Sequence, residues 1–87
     1  MAVIVEMHNT GSADSQRDIV ALIEHVLADR AGDWHVVILG SQGSDRWEMK
    51  ITGPNGFERS YTLEGELGQH APATVAGIVS KMLPPRT

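Results

Sequence analysis

Four histidines are the side chains of this chain best suited to metal binding or acid–base chemistry. They are dispersed along the 87 residues, at His8, His25, His35 and His70. A zinc site needs three or four ligands that converge on one point, and a helical pair of histidine ligands is usually spaced four residues apart. No two of these histidines have that spacing. The sequence therefore predicts no metal site, and a site assembled from distant histidines remains a minor alternative.

Other catalytic patterns are also missing. The chain has no cysteine, which excludes disulfides, thiolate ligands and a cysteine nucleophile. Residues 40–43 are rich in glycine, but no Gly-Lys-Ser/Thr follows them, and they precede a strand rather than a helix, unlike a phosphate-binding loop. No serine lies in a nucleophile-elbow pattern. We predict that the protein is not an enzyme and uses no cofactor.

The charge of the chain bears on its partners. Seven Lys and Arg residues stand against eleven Asp and Glu residues, for a net charge of −4. Nucleic-acid-binding domains displace counterions with clustered cations, and the cations here are scattered, which disfavours a nucleic-acid partner. The N-terminus has only a short apolar run without preceding basic residues. It predicts neither a signal peptide nor a membrane span, and hence a cytoplasmic protein without membrane contact.

Hydrophobic periodicity and turn residues divide residues 1–87, a length typical of one domain, into six elements. Ser15 and Asp18 resemble a capping box at the start of the first helix, and Gly32 suits the position just beyond its end. Pro72 suits the start of the last helix, and two prolines at 84 and 85 would end it. The predicted elements are a strand at 3–7, a helix at 15–31, strands at 34–39, 46–52 and 57–64, and a helix from 72.

The order β-α-β-β-β-α predicts an α+β fold. The helix between the first two strands makes them parallel if they are adjacent, and the remaining strands form an antiparallel meander over residues 34–64. We therefore expect a four-stranded mixed sheet with both helices on one face.

The hairpin of residues 46–64 has a defined register if Pro54, Asn55 and Gly56 close it. Residues whose numbers sum to 110 then face each other, so that one face is apolar except for Arg59 and the other is polar with an Arg46–Glu64 pair at its end. This split is typical of a hairpin with one face on a core and one in water. Arg59 is expected to extend along the rim, its stem covering Ile51 or Phe57.

Two further surfaces could bind a partner. His35, Val37 and Leu39 form an outward row on the second strand, and an apolar row beside the polar residues Arg46, Glu48 and Lys50 is typical of a contact site. Outward valines that only reflect β propensity are the alternative. The last helix carries a second stripe of small residues, where close approach of another chain and packing within the monomer are both open. The stripe consists of Ala73, Ala76, Gly77 and Ser80.

The element order is similar to that of ribosome hibernation factors, and its α-β-β-β-α part resembles double-stranded RNA-binding domains. That resemblance implies an RNA- or ribosome-associated domain. Those families present basic residues to RNA, including lysines at the start of the last helix, and the corresponding segment here, residues 69–74, contains no lysine. Our leading hypothesis is therefore a small non-enzymatic protein–protein interaction module, of the kind found in small inhibitors and accessory proteins, or a homodimer.

Overall fold

A computed structural model of the chain describes residues 2–11, 13–28, 30–40 and 45–83. The order of elements is β-α-β-β-β-α, as the sequence predicts, and the fold is α+β. The elements are β1 (Ala2–His8), α1 (Ala13–Leu27), β2 (Asp33–Gly40), β3 (Arg46–Thr52), β4 (Glu58–Glu64) and α2 (Pro72–Met82), with short 3₁₀ turns at Pro54–Gly56 and Gly65–Leu67.

The four strands form one mixed sheet in the order β1-β2-β3-β4. β1 runs parallel to β2, and β2, β3 and β4 are antiparallel neighbours. The predicted hairpin register is confirmed along its whole length, from Arg46 opposite Glu64 to Thr52 opposite Glu58. Asn55 and Gly56 both adopt positive φ in the connecting turn, which lets the chain reverse direction within a few residues after Pro54.

One face of the sheet, the inner face, carries both helices and the core. Alternate residues of the strands point inward, as period-two geometry requires, and meet the apolar stripes of α1 and α2. The buried cluster consists of Ile19, Ile23, Leu27, Trp34, Val36, Ile38, Trp47, Met49, Ile51, Leu63, Val75, Val79 and Leu83. Phe57 packs edge-on against Trp34, with 5.4 Å between ring centroids.

The predicted bounds of the first helix are wrong at both ends. α1 begins at Ala13 and ends at Leu27, so Ser15 lies inside its first turn and is not the N-cap. Beyond Leu27 the chain tightens into i→i−3 bonds, from the Ala28 N–H to His25 and from the Arg30 N–H to Leu27. The chain must then turn into β2, and Gly32, with φ +92°, serves that turn rather than the helix end.

Two glycines mark places where main chain or ring approaches closely. A Cβ built on Gly40, the last residue of β2, would collide with the carbonyl oxygen of Asn9. One built on Gly53 would lie 2.6 Å from the indole of Trp34. Both contacts are far below van der Waals distance, so any side chain at either position would displace its neighbour.

Parts of two sequence-based predictions lie outside the described residues. The first is the connection between the strands predicted at 34–39 and 46–52, of which residues 41–44 are not described. The second is the pair of prolines at 84 and 85 predicted to end the last helix. α2 itself ends at Met82. None of the helices in the described part of the chain combines the length and apolar character needed to cross a bilayer.

Candidate interaction surface

The face of the sheet opposite the helices, the outer face, is uncovered in the described structure. β2 is apolar on both faces, so its outward side chains place apolar surface here. Leu39 is 46 % exposed and Ile4 on β1 is 55 % exposed, while Val37 is half-buried between its neighbours. We call Ile4, Val37 and Leu39 the outer strip. The outward row predicted on β2 is thus on the surface, and its role in binding stays a prediction.

Charged and polar side chains flank the outer strip on both sides, because strand pairing aligns them in rows. Val37 lies between Glu6 on β1 and Lys50 on β3. Leu39 lies between His8 on β1 and Glu48 on β3 in the same way. The apolar centre is therefore bordered by one carboxylate and one cationic or imidazole group on each row.

Ion pairs tie several of these groups within the chain. The Nε2–H of His35 donates to Oε2 of Glu6 at 2.6 Å, with both side chains nearly half exposed. Arg46 Nε lies 3.2 Å from Glu64 Oε1, and Lys50 Nζ lies 3.5 Å from Glu58 Oε1. Exposed pairs of this kind contribute only about 0.2–1 kcal/mol each. They make the margins of the outer face polar.

A shallow groove of about 510 Å³ runs over the outer face. Val37 and Leu39 of the outer strip form its floor together with β3, and residues of β4 form its far wall. The lining residues are Val37, Leu39, Glu48, Met49, Lys50, Ser60, Tyr61 and Thr62. A groove with an apolar floor and polar walls suits an extended or flat protein surface better than an enclosed small molecule.

The candidate polar residues Arg46, Glu48, Lys50 and Arg59 lie on two faces, as the predicted hairpin register requires. Arg46, Glu48 and Lys50 are on the outer face, whereas Arg59 is on the helix side of β4. Its guanidinium carbon lies 5.2 Å from the centroid of the Phe57 ring, and one NH donates to the Glu58 carbonyl. The expected contact of Arg59 with Phe57 is thus present, and this residue belongs to the rim of the core.

Tyr61 lies on the predicted apolar face of the hairpin but is more exposed than a core residue. It points to the helix side and is 39 % exposed, whereas Leu63 on the same strand is buried. Its hydroxyl accepts a 3.4 Å hydrogen bond from Gln69. Trp34 and Trp47 are buried as expected.

The small-residue stripe of α2 is split by the structure. Ala76 is buried, whereas Ala73, Gly77 and Ser80 are exposed. A Cβ on Gly77 would have no atom within 4 Å. Close packing within the described monomer therefore does not explain this glycine.

A histidine contact that the sequence does not signal closes the end of the core. The His70 ring stacks on Trp47, with 3.7 Å between centroids and 8° between planes. Its Nε2–H donates to the Leu63 carbonyl at 3.1 Å. The two rings are 23 positions apart and belong to a strand and a loop, so no short-range pattern could have paired them. His70 is thus a structural residue.

The other histidines do not assemble a metal site with the acids. Within residues 2–11, 13–28, 30–40 and 45–83, no three His, Asp or Glu side chains converge in a way that could hold a metal ion. The fold and surface are therefore the main guides to function. No protein-family model matches this chain, and no curated protein is significantly similar to it in sequence.

Proposed function

We propose that this protein is a small non-enzymatic protein-binding module that docks a protein surface on its outer face. The observation that carries the proposal is the outer strip, an apolar band on a sheet face that no described element covers. Half-exposed leucine and isoleucine side chains in a continuous band cost free energy in water, and partner binding would remove that cost. We also propose that it acts in the cytoplasm, because the chain has no cysteine and small extracellular domains more often carry disulfides.

The borders of the strip support a protein partner. Protein interfaces typically combine an apolar centre with a polar, hydrogen-bonding rim. Here the centre is the outer strip, and the rim is formed by Glu6, Glu48, Lys50 and the hydroxyl groups of β4. A small inhibitor or accessory protein would use such a face to occupy a complementary surface of its target.

The second candidate function is RNA or ribosome association, which the order of elements favours. The charges on the outer face weigh against it, because Glu6, Glu48, Glu58 and Glu64 outnumber Arg46 and Lys50 there. An RNA-binding face would gain affinity from phosphate contacts and would lose it steeply with salt. Retention on heparin at low salt, abolished by moderate salt, would favour this second function over our proposal.

A substitution on the strip tests the proposal directly. Leu39→Asp places a charge in the centre of the outer face and should abolish partner binding, because the carboxylate would lose its water on docking. Leu67→Asp is the matched control, since Leu67 is 67 % exposed in the Gly65–Leu67 turn, away from the sheet face. Immobilised wild-type protein and both variants would be used to isolate partners, and each candidate would then be purified and titrated by calorimetry.

The expected result is a purified partner that binds wild type and Leu67→Asp equally and binds Leu39→Asp at least about tenfold more weakly. Circular dichroism should show that both variants remain folded. Equal binding by all three proteins would place the interface elsewhere and contradict the proposal.

A further inference from the structure

We infer that the protein surface that fits the outer face is a second copy of this chain, packed face to face across a twofold axis that runs along β2. The inference rests on the proposed function and names its partner. It follows from the positions of the charged side chains on the outer face. In one row across the sheet the carboxylate lies on β1, and in the next row it lies on β3.

The strand pairing defines two rows across the sheet. The first row runs Glu6, Val37, Lys50, and the second runs His8, Leu39, Glu48. A twofold axis that lies in the interface parallel to β2 keeps each row at the same position along the strand. It places the β1 end of a row in one copy over the β3 end of the same row in the other copy. Glu6 of one copy then lies over Lys50 of the other, and His8 lies over Glu48.

The exchange makes the outer face complementary to itself. Each carboxylate meets a cation or an imidazole N–H donor, and Val37 and Leu39 meet their own counterparts at the axis. Such a contact is isologous, so every favourable pairing occurs twice. Two sheets packed in this aligned manner lie about 10 Å apart, a gap that opposed glutamate and lysine side chains can span.

A twofold axis perpendicular to β2 would oppose different residues. It would keep β1 over β1 and exchange the heights of the two rows, so that Glu6 would lie over His8, Lys50 over Glu48 and Val37 over Leu39. These pairs are also complementary in charge, so an experiment must distinguish the two axes. Exchanging the charges of Glu6 and Lys50 restores opposite charges only across the axis along β2, which also places Val37 and Leu39 against their own counterparts.

The size of the contact predicts its strength. Three strands spaced about 4.8 Å apart, with about five residues each at 3.3 Å per residue, cover a face of roughly 14 by 17 Å. This face is smaller than the approximately 800 Å² per partner of a stable interface. We therefore expect a weak dimer, with a Kd of about 10–100 µM, rather than an obligate one.

A charge-exchange experiment tests the arrangement. Molar mass would be measured by light scattering from about 10 µM to about 1 mM, the range that brackets the expected Kd. Glu6→Lys and Lys50→Glu should each weaken the dimer about tenfold, since each places two pairs of like charges across the axis. The double variant Glu6→Lys/Lys50→Glu should recover most of the wild-type affinity. Glu58→Gln is the control, because Glu58 pairs with Lys50 within the chain but lies on β4, outside the contact.

Amide chemical shifts over the same dilution series locate the contact. Shifts should concentrate on the outer residues of β1, β2 and β3. A protein that is monomeric at about 1 mM, shifts that fall on α2, or a double variant weaker than both single variants would overturn the inference. A monomer that still binds another protein through Leu39 would overturn the inference and leave the proposed function standing. Failure of Leu39→Asp to affect either kind of binding would overturn both.

Discussion

The two faces of the sheet both carry apolar side chains of β2, but these side chains differ in burial. On the inner face Val36 and Ile38 are fully buried beneath the helices, whereas on the outer face Leu39 is nearly half exposed. The strand carries apolar residues on both sides, so hydrophobicity alone does not decide burial. The placement of two helices on one face decides it, and apolar surface on the other face stays exposed.

The largest expected effect separates the two faces at neighbouring positions. Ile38→Ala should lower the free energy of unfolding by about 3 kcal/mol, because it opens a cavity in a closely packed core. Leu39→Ala should lower it by about 0.5 kcal/mol, since its side chain is already half in water. Chemical denaturation of both variants measures the difference. Equal losses would mean that Leu39 is buried in solution. Because Leu39 is exposed in the single chain, a second chain would then have to cover it.

A smaller effect is expected where His70 closes the end of the inner face. His70→Ala removes the stack on Trp47 and the hydrogen bond to the Leu63 carbonyl, and should lower the free energy of unfolding by about 1–2 kcal/mol. His70→Phe retains the stack and should recover part of that loss. His25→Ala, on the exposed side of α1, is the control and should change stability by less than about 0.5 kcal/mol. Thermal unfolding of the three variants would show how much the stack of His70 on Trp47 contributes to the free energy of unfolding.

The smallest effect concerns the exposed surface of α2, the other place where a partner could bind. Gly77→Ala should raise the free energy of unfolding by about 0.5–1 kcal/mol, because alanine favours the helix and its methyl group has open space. Ser80→Ala should give a gain of a few tenths of a kcal/mol by the same cause. A Gly77→Ala variant that is more stable but no longer associates would move the interface from the outer face to α2.

Several features of the fold follow from local patterns in the sequence. The register of the β3–β4 hairpin follows from Pro54 and Gly56, because a turn of fixed length leaves one pairing that separates apolar from polar residues. The outward position of Val37 and Leu39 follows from their alternation with Val36 and Ile38. These predictions succeed because strand geometry has a short, exact period of two residues.

The features that the sequence does not predict depend on distant parts of the chain. Ser15 has the residue type of an N-cap, but α1 begins two residues earlier, and the buried Thr10 hydroxyl accepts a hydrogen bond from Gln16 next to that start. The stack of His70 on Trp47 joins a loop to a strand. The exposure of Tyr61 depends on where the helices lie over the sheet. The candidate surface could be predicted in part. Its residues follow from the alternation along β2, but the positions of Glu6 and His8 beside Val37 and Leu39 follow only from the parallel pairing of β1 with β2.

The close approach at Gly40 has a consequence for recognising relatives of this chain across genomes. A side chain there would collide with the Asn9 carbonyl, so a descendant that keeps this path must keep the glycine, whatever its partner. The outer strip, the binding surface that we propose, carries no such restriction and can change more freely. Distant relatives should therefore be sought by a sparse fingerprint, Gly40 together with Trp34 and Gly53, rather than by overall identity. That fingerprint would separate inheritance of the scaffold from inheritance of the binding surface.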